Sequence, residues 1–347
     1  MNTHCAAFFA ALNTHLGFVS YFREIFDKVE TVYVIKGGSG TGKSRFMREI
    51  SAYAKDKGYS VEEFLCSSDP TSLDGIIIYG LNVAVLDGTA PHIHEPTLIG
   101  ARERFVDLSV FLDVEGLKEQ KTYIEELQGE KIKEYGKIYD YLKILNLYNK
   151  MINETLNVAF CESKMDKAIE KICAPLVKGK KGENTVRIRS SVGCNGIVTL
   201  DTYEKMGKKR YAVSDTYGLG EVFLKKIFDT TSKSSIRVTV SYSPQYPNKP
   251  DALYYPDFDM SFYISSKIKD DEIPINMRRF VSDSVLRPYK AEIRALMRLK
   301  NDAIASMNKC FTNIKKLHFE LEKIYSSAMD FSEKEKYTKE FIDKLFK

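Results

Sequence analysis

The residues best suited to chemistry in this chain are Gly37-Gly38-Ser39-Gly40-Thr41-Gly42-Lys43-Ser44, which fit the spacing G-x-x-x-x-G-K-[ST] and follow the apolar run Thr31-Val32-Tyr33-Val34-Ile35. That pattern makes a phosphate-binding loop. Its glycines let successive backbone N–H groups point at the α- and β-phosphates, the lysine reaches the β/γ oxygens and the serine hydroxyl can join a Mg²⁺ ion. Arg45 follows directly and is counted with the loop as a nucleotide contact. A helix must start here, with its N-terminal dipole adding to the anion site and Phe46, Met47 and Ile50 packing it on a sheet.

Other candidates follow from the loop. Asn82-Val83-Ala84-Val85-Leu86-Asp87 reads as a buried strand ending in a carboxylate, the arrangement that holds Mg²⁺ through a water beside the loop serine. Ser44 and Asp87 are therefore the candidate Mg²⁺ residues, with ATP as the nucleotide; the other reading of Asp87 is a turn residue before Gly88. Many P-loop ATPases carry a water-activating glutamate after this aspartate, and Gly88 in its place predicts slow hydrolysis. In Cys66-Ser67-Ser68-Asp69-Pro70-Thr71-Ser72-Leu73-Asp74-Gly75, Asp69 or Asp74 could take the proton of an acceptor hydroxyl, or simply form turns. His92, His94 or Glu95 could orient water or sense the γ-phosphate, with His92 the catalytic candidate; a metal site here lacks further ligands nearby. Arg102 and Arg104 read either as a phosphate lid or as a helix-surface pair.

With 347 residues and 44% apolar composition, the chain can build about two cores. Its six cysteines are scattered, with no C-x-x-C, which points away from structural zinc or a disulfide framework and towards a cytoplasmic protein. No apolar stretch is long enough to cross a bilayer. Residues 1–175 carry 20 Lys+Arg against 25 Asp+Glu, and the remainder carries 32 against 22. A basic second half suggests nucleic acid as a partner, but the charges are scattered along helices, which favours attraction between the two halves.

The chain also repeats itself. Gly17-Phe18-Val19-Ser20 recurs as Gly196-Ile197-Val198-Thr199, Tyr33-Val34-Ile35 as Tyr211-Ala212-Val213, and Gly40-Thr41-Gly42-Lys43 as Gly218-Leu219-Gly220-Glu221. Arg104-Phe105-Val106 returns as Arg279-Phe280-Val281, each expected to open a helical tract. The predicted fold is an α/β P-loop NTPase with a parallel sheet, duplicated in tandem over residues 1–178 and 183–347, each copy followed by a long helical hairpin. In the first copy the expected elements are strand 31–35, helix 43–57, strand 60–65 and strand 82–87, with helix over 117–172.

Gly17 to Phe22, the loop from Lys36 to Ser44, the Cys66 to Gly75 segment and Leu86-Asp87-Gly88-Thr89-Ala90-Pro91-His92 together resemble a functionally uncharacterised bacterial family of tandem P-loop ATPases. The resemblance spans nearly the whole chain and implies ATP binding and ATPase activity. The second copy departs from it, since Glu221 stands where the lysine should be. The expectation is one Mg-ATP site per chain, in a slow ATPase or ATP-dependent switch. A small-molecule kinase with its acceptor at the Asp69–Asp74 loop is the alternative, and an ATP-gated nucleic-acid binder the third reading.

Overall fold

The first half of the computed structural model, which describes residues 5–90 and 95–347, runs as β1 (Cys5–Phe9), β2 (Ala11–Thr14), β3 (Gly17–Ser20), α1 (Phe22–Phe26), β4 (Thr31–Lys36), α2 (Lys43–Asp56), β5 (Val61–Leu65), β6 (Leu73–Ile78), β7 (Val83–Asp87) and β8 (Glu103–Asp107). Helices α3 (Val114–Glu119), α4 (Lys121–Asn157) and α5 (Glu162–Leu176) complete it. The second half follows as β9 (Thr185–Val186), β10 (Ser190–Gly193), β11 (Gly196–Thr199), α6 (Thr202–Lys205), β12 (Lys209–Ser214), α7 (Gly220–Ser232), β13 (Thr239–Tyr242), β14 (Pro250–Tyr255), β15 (Met260–Ile264) and β16 (Ile273–Asn276). It ends in α8 (Asp283–Leu286), α9 (Lys290–Ser327) and α10 (Phe331–Leu345).

Two six-stranded sheets result, ordered β1-β5-β6-β7-β4-β8 and β9-β13-β14-β15-β12-β16. The strand order is the same in both. Neither sheet is all-parallel as the sequence predicts: β6 runs antiparallel to β5 and β7, and β14 to β13 and β15. The connections explain this, because the segments 66–72 and 79–82 are too short for a parallel crossover, which needs a dozen residues or more.

The strands alternate their side chains between two cores. Val32 and Val34 of β4 and Ala84 and Leu86 of β7 point towards the other sheet, where they join Tyr203, Ala212, Ala252 and Tyr263. Tyr33, Ile35, Val83 and Val85 point the opposite way, beneath α2. The two halves are thus held mainly by a shared apolar core; Arg187–Glu62 at 2.8 Å joins a base of the second half to an acid of the first, the sense the charge imbalance suggests, whereas Lys28–Glu183 at 2.5 Å runs the other way.

The helices depart most from expectation. Neither tract folds back on itself as a hairpin; α4 and α9, one from each half, lie antiparallel along each other. Ile124 and Leu127 meet Leu321 and Ile324 at one end, Ile138 and Leu142 meet Met307 and Phe311 in the middle, and Ile152 and Leu156 meet Ile293 and Leu296 at the other. At 37 and 38 residues these helices are each roughly 55 Å long, enough to carry the chain from one sheet to the other. Each tract's last helix is consequently delivered across. Met165 and Ile169 of α5 pack with Phe223 and Ile227 of α7, while Tyr337, Phe341 and Ile342 of α10 join the Phe46 core of α2. Among the described residues, no helix is long and apolar enough to cross a membrane.

Candidate nucleotide site

Strand β4 ends at Lys36 and helix α2 begins at Lys43, so the glycine-rich segment spans a strand-to-helix turn at the carboxyl edge of the first sheet. Gly40 and Gly42 take positive φ values of 75° and 80°, and Gly42 is the N-cap of α2. Close approach adds a second constraint: a Cβ on Gly40 would lie 2.6 Å from the Glu322 carbonyl oxygen, because α9 ends against this loop. Thr41 closes the turn by donating from its hydroxyl to the Gly38 carbonyl at 2.9 Å.

Lys43 lies folded over its own loop. Its Nζ donates to the Gly37 and Gly38 carbonyls at 3.0 and 2.8 Å and sits 3.7 Å from Asp87 Oδ2. Parallel pairing of Ile35 with Asp87 places that carboxylate one strand away from the loop. Asp87 Oδ1 accepts from the backbone N–H and hydroxyl of Thr89 at 2.8 and 2.6 Å, which fixes the carboxylate and leaves Oδ2 towards the lysine. The Ser44 hydroxyl accepts from the Leu73 N–H at 3.0 Å. Hard oxygens at Ser44 and Asp87 beside a loop with phosphate-binding spacing would suit a Mg²⁺ ion, which takes one or two protein ligands and completes its shell with phosphates and water. Gly88 cannot carry a side chain, since a Cβ there would fall 2.3 Å from Val34 Cγ1.

These residues line a cavity of about 360 Å³ between the sheet edge and the long helices. Its wall includes Ser39, Gly40, Gly42, Lys43, Ser44, Arg45, Asp69, Asp74 and Asp87, while Gly37 and Gly38 hold Lys43 from beneath. The second carboxylate at this edge is Asp74, because β6 runs backwards and starts where its neighbours end. Asp74 is 3% exposed and stands one step beyond the Gly75↔Leu86 pair, next to Asp87. Asp69 is more open, and its Oδ1 accepts from Thr71 N and Oγ1 at 3.0 and 2.7 Å, the turn-forming role.

The opposite wall comes from parts of the chain that the sequence motif does not reveal. Lys131 and Tyr135 of α4 and Lys315, His318 and Glu322 of α9 face the loop, and Cys194 reaches in from the β10–β11 turn. Lys131 Nζ lies 3.2 Å from His318 Nδ1, and His318 Nε2 lies 3.3 Å from Glu322. Burial lowers the Lys131 ammonium below the usual lysine value, and the Tyr135 phenol, buried beside it, is pushed up to about 12. The signal available in the sequence was the interruption of the apolar stripe by Lys131, Lys315 and His318 on faces that otherwise seal against a partner helix.

Three expectations need correction or placement. Arg104-Phe105-Val106 opens no helix; it lies in β8, and Val32↔Glu103 pairing puts Arg102 and Arg104 at the end of the sheet opposite the loop. Arg102 pairs there with Asp27 at 2.9 Å, and Arg104 lies over the Tyr33 ring, so neither is a phosphate lid. His92 and His94 lie outside the described residues.

The corresponding turn of the second half is built differently. Asp215 Oδ1 accepts from Tyr217 N at 2.9 Å and Oδ2 from Gly220 N at 2.8 Å, so a carboxylate of the chain itself occupies one N–H of the loop and the first N–H of α7. Ile264 ends β15 where Asp87 ends β7. Glu221 is 8% exposed and raised to about 7 by burial, with Asp215 and Asp251 adding repulsion against a modest pull from Lys249. Its folded value lies above the ordinary 4.5, so this side chain costs no stability below pH 4.5 and costs progressively more as pH rises towards 7. Glu221→Gln is therefore expected to stabilise the protein at pH 8, by up to about 3 kcal/mol, to raise its melting temperature there, and to leave both nearly unchanged only at about pH 4 or below. Thermal melts of both proteins across that range check this.

No family model, curated protein or solved structure matches this chain.

Proposed function

We propose that this protein binds Mg-ATP at the Gly37–Ser44 loop, one nucleotide per chain, and works as a slow ATPase or ATP-dependent switch. The observation that carries this reading is the convergence of Lys43, Ser44 and Asp87 at one sheet edge, the lysine 3.7 Å from the aspartate, around a cavity large enough for a phosphate chain. Slow turnover follows from Gly88, where Val34 leaves no room for a water-activating side chain. The identical strand order of the two sheets supports tandem duplication of a P-loop unit, and the Asp215 carboxylate supports loss of the second site. Cytoplasmic residence and membership of the tandem P-loop family belong to the same proposal.

A second reading is phosphoryl transfer to a small acceptor, favoured by Asp74, a buried carboxylate that shares the cavity with Lys43 and faces Lys131 and Lys315 across it. In that case Asp74, rather than Asp69, takes the acceptor proton. Following the labelled γ-phosphate of ATP separates the readings. The switch predicts slow release as free phosphate that Asp74→Asn changes less than tenfold; the kinase predicts label in an organic product, lost by roughly a hundredfold or more in Asp74→Asn with ATP affinity retained. Acceleration by added nucleic acid would instead point to the third reading.

A further inference from the structure

Helix α10 brings one side chain to the loop that neither motif nor cavity wall accounts for. Asp330 caps the helix, its Oδ1 accepting from Ser332 N and Glu333 N at 3.0 Å, and this fixes Lys334 in the first turn against α2. Lys334 is 1% exposed, and its Nζ has no hydrogen-bond partner among the described residues. A Cβ placed on Gly42, the N-cap of α2, would lie 3.6 Å from that Nζ. The nearest carboxylates are already engaged, because Arg45 pairs with both Glu49 and Glu335 at 2.9 Å. The Phe46 ring centroid lies 6.0 Å away, and the Arg45 guanidinium adds a like charge nearby. An ammonium buried without an acceptor is expensive, and burial accordingly lowers its proton affinity.

The second half supplies an internal control. Helices α5 and α10 are both 15 residues long, and each packs on the helix that follows a loop of the other half. Lys334 is the fourth residue of α10; the fourth residue of α5 is Met165, fully buried in the apolar core against α7. Where the loop is filled by Asp215, the position holds a thioether of similar length; where the loop is open, it holds a cation.

We propose that Lys334 is a ligand of the nucleotide's phosphate chain, delivered from α10 to the N-terminus of α2, so that phosphate binding and the docking of α10 stabilise each other. The proposal rests on the nucleotide reading of the loop. Bound phosphate gives the ammonium the acceptor it otherwise lacks, and the N–H groups at the start of α2 point at the same anion. Removing a buried, uncompensated charge then affects two states in opposite directions. The apo protein keeps or gains stability, and the bound protein loses a charge-assisted contact.

Calorimetric titration with Mg-ATP and Mg-ADP, alongside melting curves of the apo protein, tests this on the full chain with Lys334→Met and Lys334→Arg. Lys334→Met is expected to weaken both nucleotides by about tenfold or more, the scale of one charge-assisted hydrogen bond. Its apo melting temperature should be equal to or above that of the unsubstituted protein, and Lys334→Arg should recover part of the affinity. Unchanged affinity in Lys334→Met would overturn the assignment, and so would lost affinity accompanied by a lower apo melting temperature, which marks a structural lysine. Failure of the unsubstituted protein to bind nucleotide at all would remove the loop reading itself, and the lysine assignment with it.

Discussion

Lys43→Ala is expected to reduce Mg-ATP affinity by roughly tenfold to a hundredfold, the range for losing hydrogen bonds from a charged group. Lys43 is the one cation that the loop itself supplies, and its ammonium is held by the Gly37 and Gly38 carbonyls beside Asp87, with a side-chain exposure of 12%. Phosphate oxygens would replace those carbonyls as acceptors with a stronger, charged partner. The substitution also frees Asp87 from its ion pair, leaving a carboxylate to face incoming phosphate unshielded. Folding should survive, because the side chain contributes no apolar core contact and the loop is held by Thr41 and by the pairing of β4 with β7. Isothermal titration with unchanged circular dichroism checks both parts.

Ending the chain at Ala328, which removes α10, is expected to leave a protein that aggregates or melts far below the full chain. Ile342 joins the core under α2, and Tyr337, Phe341, Leu345 and Phe346 pack against it. Phe341 lies 5.1 Å from the Phe46 ring and 4.9 Å from Tyr33, while Phe346 covers Tyr53 at 4.9 Å. Five such side chains, each contributing roughly 1–3 kcal/mol, match the ~5–15 kcal/mol net stability of a typical domain. The exposed face would be an apolar patch on α2. Size-exclusion chromatography and thermal melts read the result; a monomeric truncated chain with the full chain's melting temperature would show that α10 is not part of this core.

Local order was legible where physics is local. The loop's strand-before and helix-after setting, the start of α2 at Lys43 and the end of β7 at Asp87 follow from glycine spacing, apolar runs and a terminal carboxylate, all of which act within a few residues. The repeat located β3, β4 and α2 together with their counterparts β11, β12 and α7. Strand direction was not legible in the same way. Leu73-Asp74-Gly75 reads as a turn by composition, yet it begins a buried strand whose short connections force it antiparallel, and that reversal brings Asp74 to the site. Arg104-Phe105-Val106 failed for a related reason, since three residues cannot distinguish periods of two and 3.6.

The far wall of the site was the least legible part. An apolar stripe states that a helix has a seam but not which helix fills it, and both tracts carry the same kind of stripe. Only the antiparallel pairing of α4 with α9 shows that Lys131, Lys315 and His318 face the loop. The same crossing puts Lys334 beside Gly42, some 290 positions along the chain.

The most direct measurement is an equilibrium titration of the full chain with Mg-ATP that returns both stoichiometry and affinity. One nucleotide per chain, lost or weakened in Lys43→Ala and unaffected by Glu221→Gln, is the predicted result. No binding, two nucleotides per chain, or one nucleotide whose affinity ignores Lys43 would contradict it.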